Sequence, residues 1–176
     1  MREEVELMHR VSKGDSQSVN ALLESHYNPI YRLLRHLIRN REDAEDLTQE
    51  VFLIAQTKGG SFSGEAALRT WLTTIALNAN RKRLRREQLR KLWQPPKRPV
   101  SGEADRLVEG EWLMQGIEQL PEDQQMAYIL HDVHGFSVAE IAAMVNRPEG
   151  TIKARLHYAR KKLQQVLACS EDEVNE

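Results

Sequence analysis

Cysteine occurs once, at Cys169, so no disulfide can form within the chain and a fold stapled by cross-links is excluded. That scarcity suits a reducing, intracellular compartment. Glycine is sparse and clustered, and β-branched residues rarely alternate with polar ones, which leaves little material for a sheet. No apolar run approaches the roughly 20 residues needed to span a bilayer. Met1 to Asp15 is charged throughout and lacks an apolar stretch, so a secretory leader is not expected. There is no glycine-rich phosphate loop of the Walker or dinucleotide type, and no carboxylate pair at a strand end. His131 and His134 want for further ligands, and Cys169 has no evident base partner. These absences predict no enzyme activity, no cofactor and no metal.

What is present is helix-forming. Leu, Ala, Glu and Arg are abundant. A net charge of -1 conceals strong local segregation of acid and base. A short helix is predicted over Glu3 to Val11, ended by Gly14, with Asp15 or Ser16 capping the next. Ala21, Leu22, Tyr27, Ile30, Tyr31, Leu34, Leu37 and Ile38 recur at helical spacing. Pro29 falls inside this run and predicts a new first turn or a kink. Asn40-Arg41 reads as a turn, followed by a helix over about 42–56 with Ala44, Leu47, Val51 and Ile54 inward. Gly59 to Gly64 reads as a loop. A long helix is predicted from near Glu65, with Leu68, Trp71, Leu72, Ile75 and Ala76 inward and a basic run, Arg81 to Arg86, at its end.

Pro95-Pro96-Lys97-Arg98-Pro99 cannot continue a helix, so a semi-stiff tether is placed here. The expected class is all-α: two small helical domains, 1–88 and 106–169, joined by a Pro-containing linker over 89–105, with a polar tail over 170–176. In the second domain Arg106 to Gln119 is amphipathic, Pro121 starts a helix, and Gln124 to His134 continues to Gly135.

Ser137-Val138-Ala139-Glu140 fits a capping box, flanked by Phe136 and Ile141 as a hydrophobic staple. A helix to about Val145 follows, then a turn at Asn146-Arg147-Pro148, then a helix to Leu167 with Ile152, Leu156, Ala159, Leu163 and Val166 inward. A short helix, a tight turn and a longer basic helix describe a helix-turn-helix. Gly150 and Thr151 suit close approach to a phosphate. Lys153, Ala154, His157 and Tyr158 could reach base edges, while Arg147, Arg155, Arg160, Lys161 and Lys162 supply charge for backbone contact.

In the first domain, the helix over 42–56 presents Glu42, Asp43, Glu45, Asp46, Gln49 and Glu50 near Leu47, Val51 and Phe52. A mixed acidic and apolar face suits a basic, partly apolar partner better than DNA; an ordinary solvated helix face has the same pattern. Asn78, Asn80, Arg81, Lys82, Arg83, Arg85 and Arg86 lie on or after the long helix. An amide beside a cationic stripe can hold an unpaired base edge while the stripe holds the backbone. Trp71 falls in register with the inward residues and is expected in the core; Phe62 in the glycine-rich loop can go either way.

Several segments resemble the extracytoplasmic-function (ECF) sigma factors of bacterial RNA polymerase. Asp43-Ala44-Glu45-Asp46-Leu47-Thr48-Gln49-Glu50-Val51-Phe52-Leu53 is similar to the family's clamp-binding helix. Phe62-Ser63-Gly64, Leu68-Arg69-Thr70-Trp71-Leu72 and Ile75-Ala76-Leu77-Asn78 resemble its −10 segment. Leu120-Pro121-Glu122-Asp123, Gly135-Phe136-Ser137, Glu140-Ile141-Ala142 and Gly150 to Leu156 resemble its −35 domain. The resemblance implies a non-catalytic, cytoplasmic initiation subunit. Its partners would be core polymerase, through the largest-subunit clamp helices and the flap of the second-largest subunit, promoter DNA, and an anti-sigma factor. It implies core binding by Asp43, Glu45, Asp46, Leu47, Gln49, Glu50 and Phe52. It implies −10 contact by Phe62, Ser63, Asn78, Asn80, Arg81, Lys82 and Arg85, with Asn78 lining a pocket for a flipped base. It implies −35 contact by Arg147, Gly150, Thr151, Lys153, Ala154, Arg155, His157, Tyr158, Arg160 and Lys161. A stand-alone helix-turn-helix regulator would account for the second domain alone.

Overall fold

The structure is a computed structural model that describes residues 2–93 and 111–173. The proline tether at Pro95 to Pro99 with Ser101-Gly102, the predicted helix start at Arg106, and the side chains of Val166 and Cys169 lie outside the described residues. The described residues form eight α-helices, one 3-10 turn and one π turn, with no strand among them. They divide into two compact units, Met1–Ala104 and Asp105–Glu176.

Unit 1 begins with α1, Arg2–Ser12, whose first turn carries Glu3 and Glu4 and whose last carries His9 and Arg10. That placement opposes each charge to the favourable end of the helix dipole. Gly14 then takes φ +78°, which closes the turn without a Cβ penalty. The Asp15 carboxylate accepts from the Ser18 amide at 3.0 Å and caps α2, Ser16–Leu37. This helix runs unbroken through Pro29, so the expected new first turn does not occur. The missing donor at Pro29 would have served the carbonyl of Ser25. Both residues are exposed, so water can satisfy that carbonyl.

α3, Arg41–Lys58, starts on Asn40, whose side chain accepts from the Asp43 amide at 2.9 Å. Ala44, Leu47, Thr48, Val51, Phe52 and Ala55 are its buried face, spaced at three and four. The expected loop opens with a 3-10 turn, Gly59–Ser61. There a Cβ on Gly59 would stand 2.5 Å from the Met8 carbonyl oxygen of α1. Gly59→Ala should therefore force backbone apart and destabilise unit 1 by about 1–3 kcal/mol, read as a fall in its denaturant midpoint. α4, Leu68–Trp93, buries Leu68, Leu72, Ile75, Ala76 and Ala79 against the same core.

His26 and His36 on α2 are half-buried, and desolvation holds both below the ordinary histidine value of 6.5, against Glu4 at His26 and together with Arg35 and Arg32 at His36. The unfolded chain therefore binds protons more readily than the folded one. Stability from these groups is fully present above pH 6.5 and is lost as pH falls through the lower folded values. Unfolding of unit 1 should shift to lower denaturant between pH 7 and 5, and the His26→Gln/His36→Gln double variant should flatten that slope.

Unit 2 contains α5, Glu111–Glu118, and α6, Glu122–Tyr128, the latter beginning at Pro121. α6 does not continue as the regular helix expected to His134. It passes into a π turn over Ile129–Val133, with the His134 amide donating to the Ile129 carbonyl at 3.0 Å. α7, Val138–Val145, carries the expected capping box: the Ser137 amide donates to the Glu140 carboxylate at 2.9 Å, and the Glu140 amide donates to Ser137 Oγ at 3.2 Å. Asn146 adopts φ +51° and the Arg147 amide returns to the Ala142 carbonyl at 3.0 Å. This is the left-handed stop of a Schellman motif, made by asparagine in place of glycine. Pro148 follows, and α8 runs Glu149–Glu173, through the first residues of the predicted polar tail. Ile117, Ile129, Leu130, Phe136, Ile141, Ile152, Leu156, Ala159 and Leu163 are buried together in this unit.

Candidate nucleic-acid interface

α8 is longer than its groove-sized first turns, and its basic residues do not all face outward. Ile152, Leu156, Ala159 and Leu163 point into the unit. Arg155 and Arg160 lie on opposite flanks of that stripe. Arg155 forms an ion pair with Asp123 of α6 and its side chain is only 16% exposed; Arg160 pairs with Asp132 of the π turn at 2.8 Å. Lys162 donates to the Gln119 carbonyl at 2.7 Å. These flanking cations tie α8 to the rest of unit 2, Arg155 and Arg160 through partners within the unit. The Thr151 amide is likewise engaged, with the Pro148 carbonyl at 3.0 Å.

The remaining −35 candidates do share one surface. Arg147, Gly150, Lys153, Ala154, His157, Tyr158 and Lys161 are all exposed. Lys153 sits 3.6 Å from Glu149, a solvated pair worth little. Tyr158 is 58% exposed, and the His157 ring meets it edge-on at 5.5 Å.

In unit 1 the acids and the cations face one another across a groove of 150 Å³ between α3 and α4, lined by Asp43, Asp46, Leu47, Glu50, Ala79, Lys82, Arg83 and Arg86. Arg83 bridges it, donating at 3.4 Å to Asp43, at 3.2 Å to Glu87 and at 3.4 Å to Asn80. Glu45 of the docking set pairs with Arg41 at 2.9 Å. Asp43, Asp46 and Gln49 are exposed, and Glu50 is partly so.

Leu47 and Phe52 are buried core residues of α3, with Phe52 stacked on Tyr27 at 5.8 Å. The large apolar side chain that α3 leaves outside is Leu53, 64% exposed, which the inward-apolar pattern did not single out. A large apolar side chain left outside an otherwise regular helix face was its only signal in the sequence.

On α4, Asn78 is exposed and its carbonyl accepts from Arg81 at 3.0 Å, which leaves its two N–H donors for a base acceptor. Arg81, Lys82 and Arg85 on the same helix are exposed, and so is Ser63 in the preceding loop. Asn80 is buried and faces Arg83, so it is a structural amide. Phe62 is also buried, its ring 5.3 Å from that of Trp71. Trp71, expected in the core, is partly buried and packs against the core of unit 1. Among the described residues no cluster of three or more His, Cys, Asp and Glu side chains could hold a metal, and no helix is long and apolar enough to cross a membrane.

The family described as Sigma-70 region 2 matches residues 22–90, and that described as Sigma-70, region 4 matches residues 110–163. The ECF RNA polymerase sigma factor SigM of Mycobacterium tuberculosis (strain H37Rv) is 33% identical over 177 residues, covering 99% of this chain and 89% of SigM. The ECF RNA polymerase sigma-E factor of Escherichia coli K12 is 31% identical over 175 residues, covering 88% of this chain and 89% of its own length. Among solved structures, the sigma factor RpoE in complex with the anti-sigma factor NepR from Bartonella quintana superposes with TM-score 0.70 at 27% identity, covering 85% of this chain and 96% of RpoE. CnrH in complex with the cytosolic domain of CnrY superposes with TM-score 0.69 over 94% of this chain and 97% of CnrH; at 20% identity it speaks for the fold alone.

Proposed function

This chain belongs to the ECF sigma factors, and from that premise we propose how its two units divide promoter recognition. It is an alternative sigma factor, a non-catalytic subunit that binds core RNA polymerase and directs promoter-specific initiation. Unit 1, corresponding to residues 1–88 with α4 continuing to Trp93, docks on the clamp helices of the largest subunit through Asp43, Asp46, Gln49, Glu50 and Leu53. It contacts the −10 element through Ser63, Asn78, Arg81, Lys82 and Arg85. Unit 2 enters the −35 major groove with the outer face of α8 and meets the flap of the second-largest subunit. Polymerase carries all the chemistry, and the chain itself has no intrinsic activity. It works in the cytoplasm, at the nucleoid, where its polymerase is. An anti-sigma factor is a further partner; the support is that the similar sigma factor RpoE of Bartonella quintana was solved in complex with the anti-sigma factor NepR.

The observation that carries the division is the segregation of exposed charge in unit 1. Acids lie on α3 and an exposed cationic surface lies on α4 beside an outward amide, so one helix suits a basic protein and the other suits a polyanion. A stand-alone regulator leaves this arrangement without a use. The test is transcription by bacterial core polymerase with and without the protein. Discrete starts that require it, with dependence on a −10 element that Asn78→Ala relaxes, are expected. Specific duplex binding without polymerase and no initiation in its presence would sink the proposal.

A further inference from the structure

The outer face of α8 is unusual for a base-reading surface in what it lacks. Guanine is read most often by Arg, and adenine by Asn or Gln, because those planar groups bond two base atoms at once. Between Gly150 and Lys161 no Asn or Gln occurs, and both arginines of that span are turned to the flanks and committed to Asp123 and Asp132. What stands at the centre of the outer face is an apolar ridge. Ala154 and Tyr158 are both exposed, one turn apart, and side chains four positions apart on a helix are neighbours. Lys153, His157 and Lys161 border the ridge. The His157 ring meets the exposed Tyr158 ring edge-on. One turn back along the ridge, a Cβ on Gly150 would meet nothing within 4 Å, so the fold itself does not require a missing side chain there. The ridge is left low on the side that faces outward.

Thymine is the one base that presents an apolar group in the major groove, its C5 methyl. We propose that Ala154 and the ring of Tyr158 form the seat for a thymine methyl in the −35 element, making Tyr158 a specificity-determining residue. The inference rests on unit 2 reading the −35 duplex and names what it reads there. Lys153 and Lys161 then hold the flanking phosphates or a guanine edge, and the step at Tyr158 is read by shape and methyl contact.

The experiment replaces thymines of the −35 element by deoxyuridine, one at a time, on a promoter selected from a randomised library by core polymerase with the full chain. Deoxyuridine removes only the methyl group and leaves pairing intact. One position should lose about 4-fold in open-complex formation, the worth of one buried methyl. Tyr158→Ala should lose a similar factor on thymine DNA and become indifferent to uracil at that position, while Tyr158→Phe keeps the wild-type response. Because Tyr158 is exposed, its removal leaves the core intact, and an unchanged thermal midpoint confirms this. If −35 base changes matter but no uracil does, or if Tyr158→Ala stays sensitive, the methyl seat is overturned while unit 2 keeps its element. If −35 sequence has no effect at all, the assignment of unit 2 falls, and this inference with it.

Discussion

Asp46→Arg should abolish discrete-start transcription by core polymerase while leaving unit 1 folded. Asp46 is exposed on α3 and lines the groove that Lys82, Arg83 and Arg86 close from the other side. A cation placed there meets three others, but at a solvated surface such repulsion amounts to roughly 0–1 kcal/mol, too little to unfold a domain. Against a basic partner the consequence is larger, because the docked interface excludes water and turns an attraction into a repulsion. A loss of about 2 kcal/mol or more is expected, roughly a 30-fold weaker association with core. Competition for core polymerase against unlabelled wild-type protein measures it directly. Glu3→Arg on α1, also an exposed acid, serves as the control and should cost little. Retention of full activity by Asp46→Arg would move the docking surface off α3.

Ile152→Ala should disable unit 2 and spare unit 1. Ile152 is fully buried at the start of α8 and belongs to the small core that Ile129, Leu130, Ile141 and Leu156 complete. Truncating a buried Ile costs about 2–5 kcal/mol, since the cavity collapses only in part. A domain of this size has little more than that in reserve. Two compact units imply two unfolding events, and only the one belonging to unit 2 should move to lower denaturant. Polymerase charged with the variant should lose its dependence on the −35 element and retain its dependence on the −10 element. Equal loss of both would mean that the units do not fold separately.

The elements with local signals were legible. The capping box at Ser137 and Glu140, the turn at Asn146-Arg147-Pro148 and the inward stripe of α8 all follow from residues a few positions apart. The misreadings have physical reasons. Asn40 looked like a turn residue because the side-chain bond that makes an asparagine turn also caps a helix. Pro29 looked like a break because nothing in the sequence tells whether the carbonyl it orphans is wet or dry. The π turn at Ile129–Val133 has no spacing of its own, since one inserted residue shifts the pattern without erasing it. Ion pairs between remote residues were not legible in the sequence. Arg155 meets Asp123 across 32 positions and Arg83 meets Asp43 across 40, and no window on the sequence connects them. Leu47 and Phe52 sit within a segment that resembles a docking helix, yet the helical period alone turns both inward.

α3 and α4 belong to one core, with Ala44, Val51 and Ala55 of the first buried among Leu72, Ala76 and Ala79 of the second. The amide and cations proposed for the −10 strand are therefore carried on a scaffold whose orientation is set as soon as α3 is held by polymerase. Rotational freedom is given up in forming the protein complex, before DNA is engaged. The single strand then meets side chains already aimed, so a handful of weak contacts is enough to retain it, and the same contacts on the free protein would be too dilute to matter.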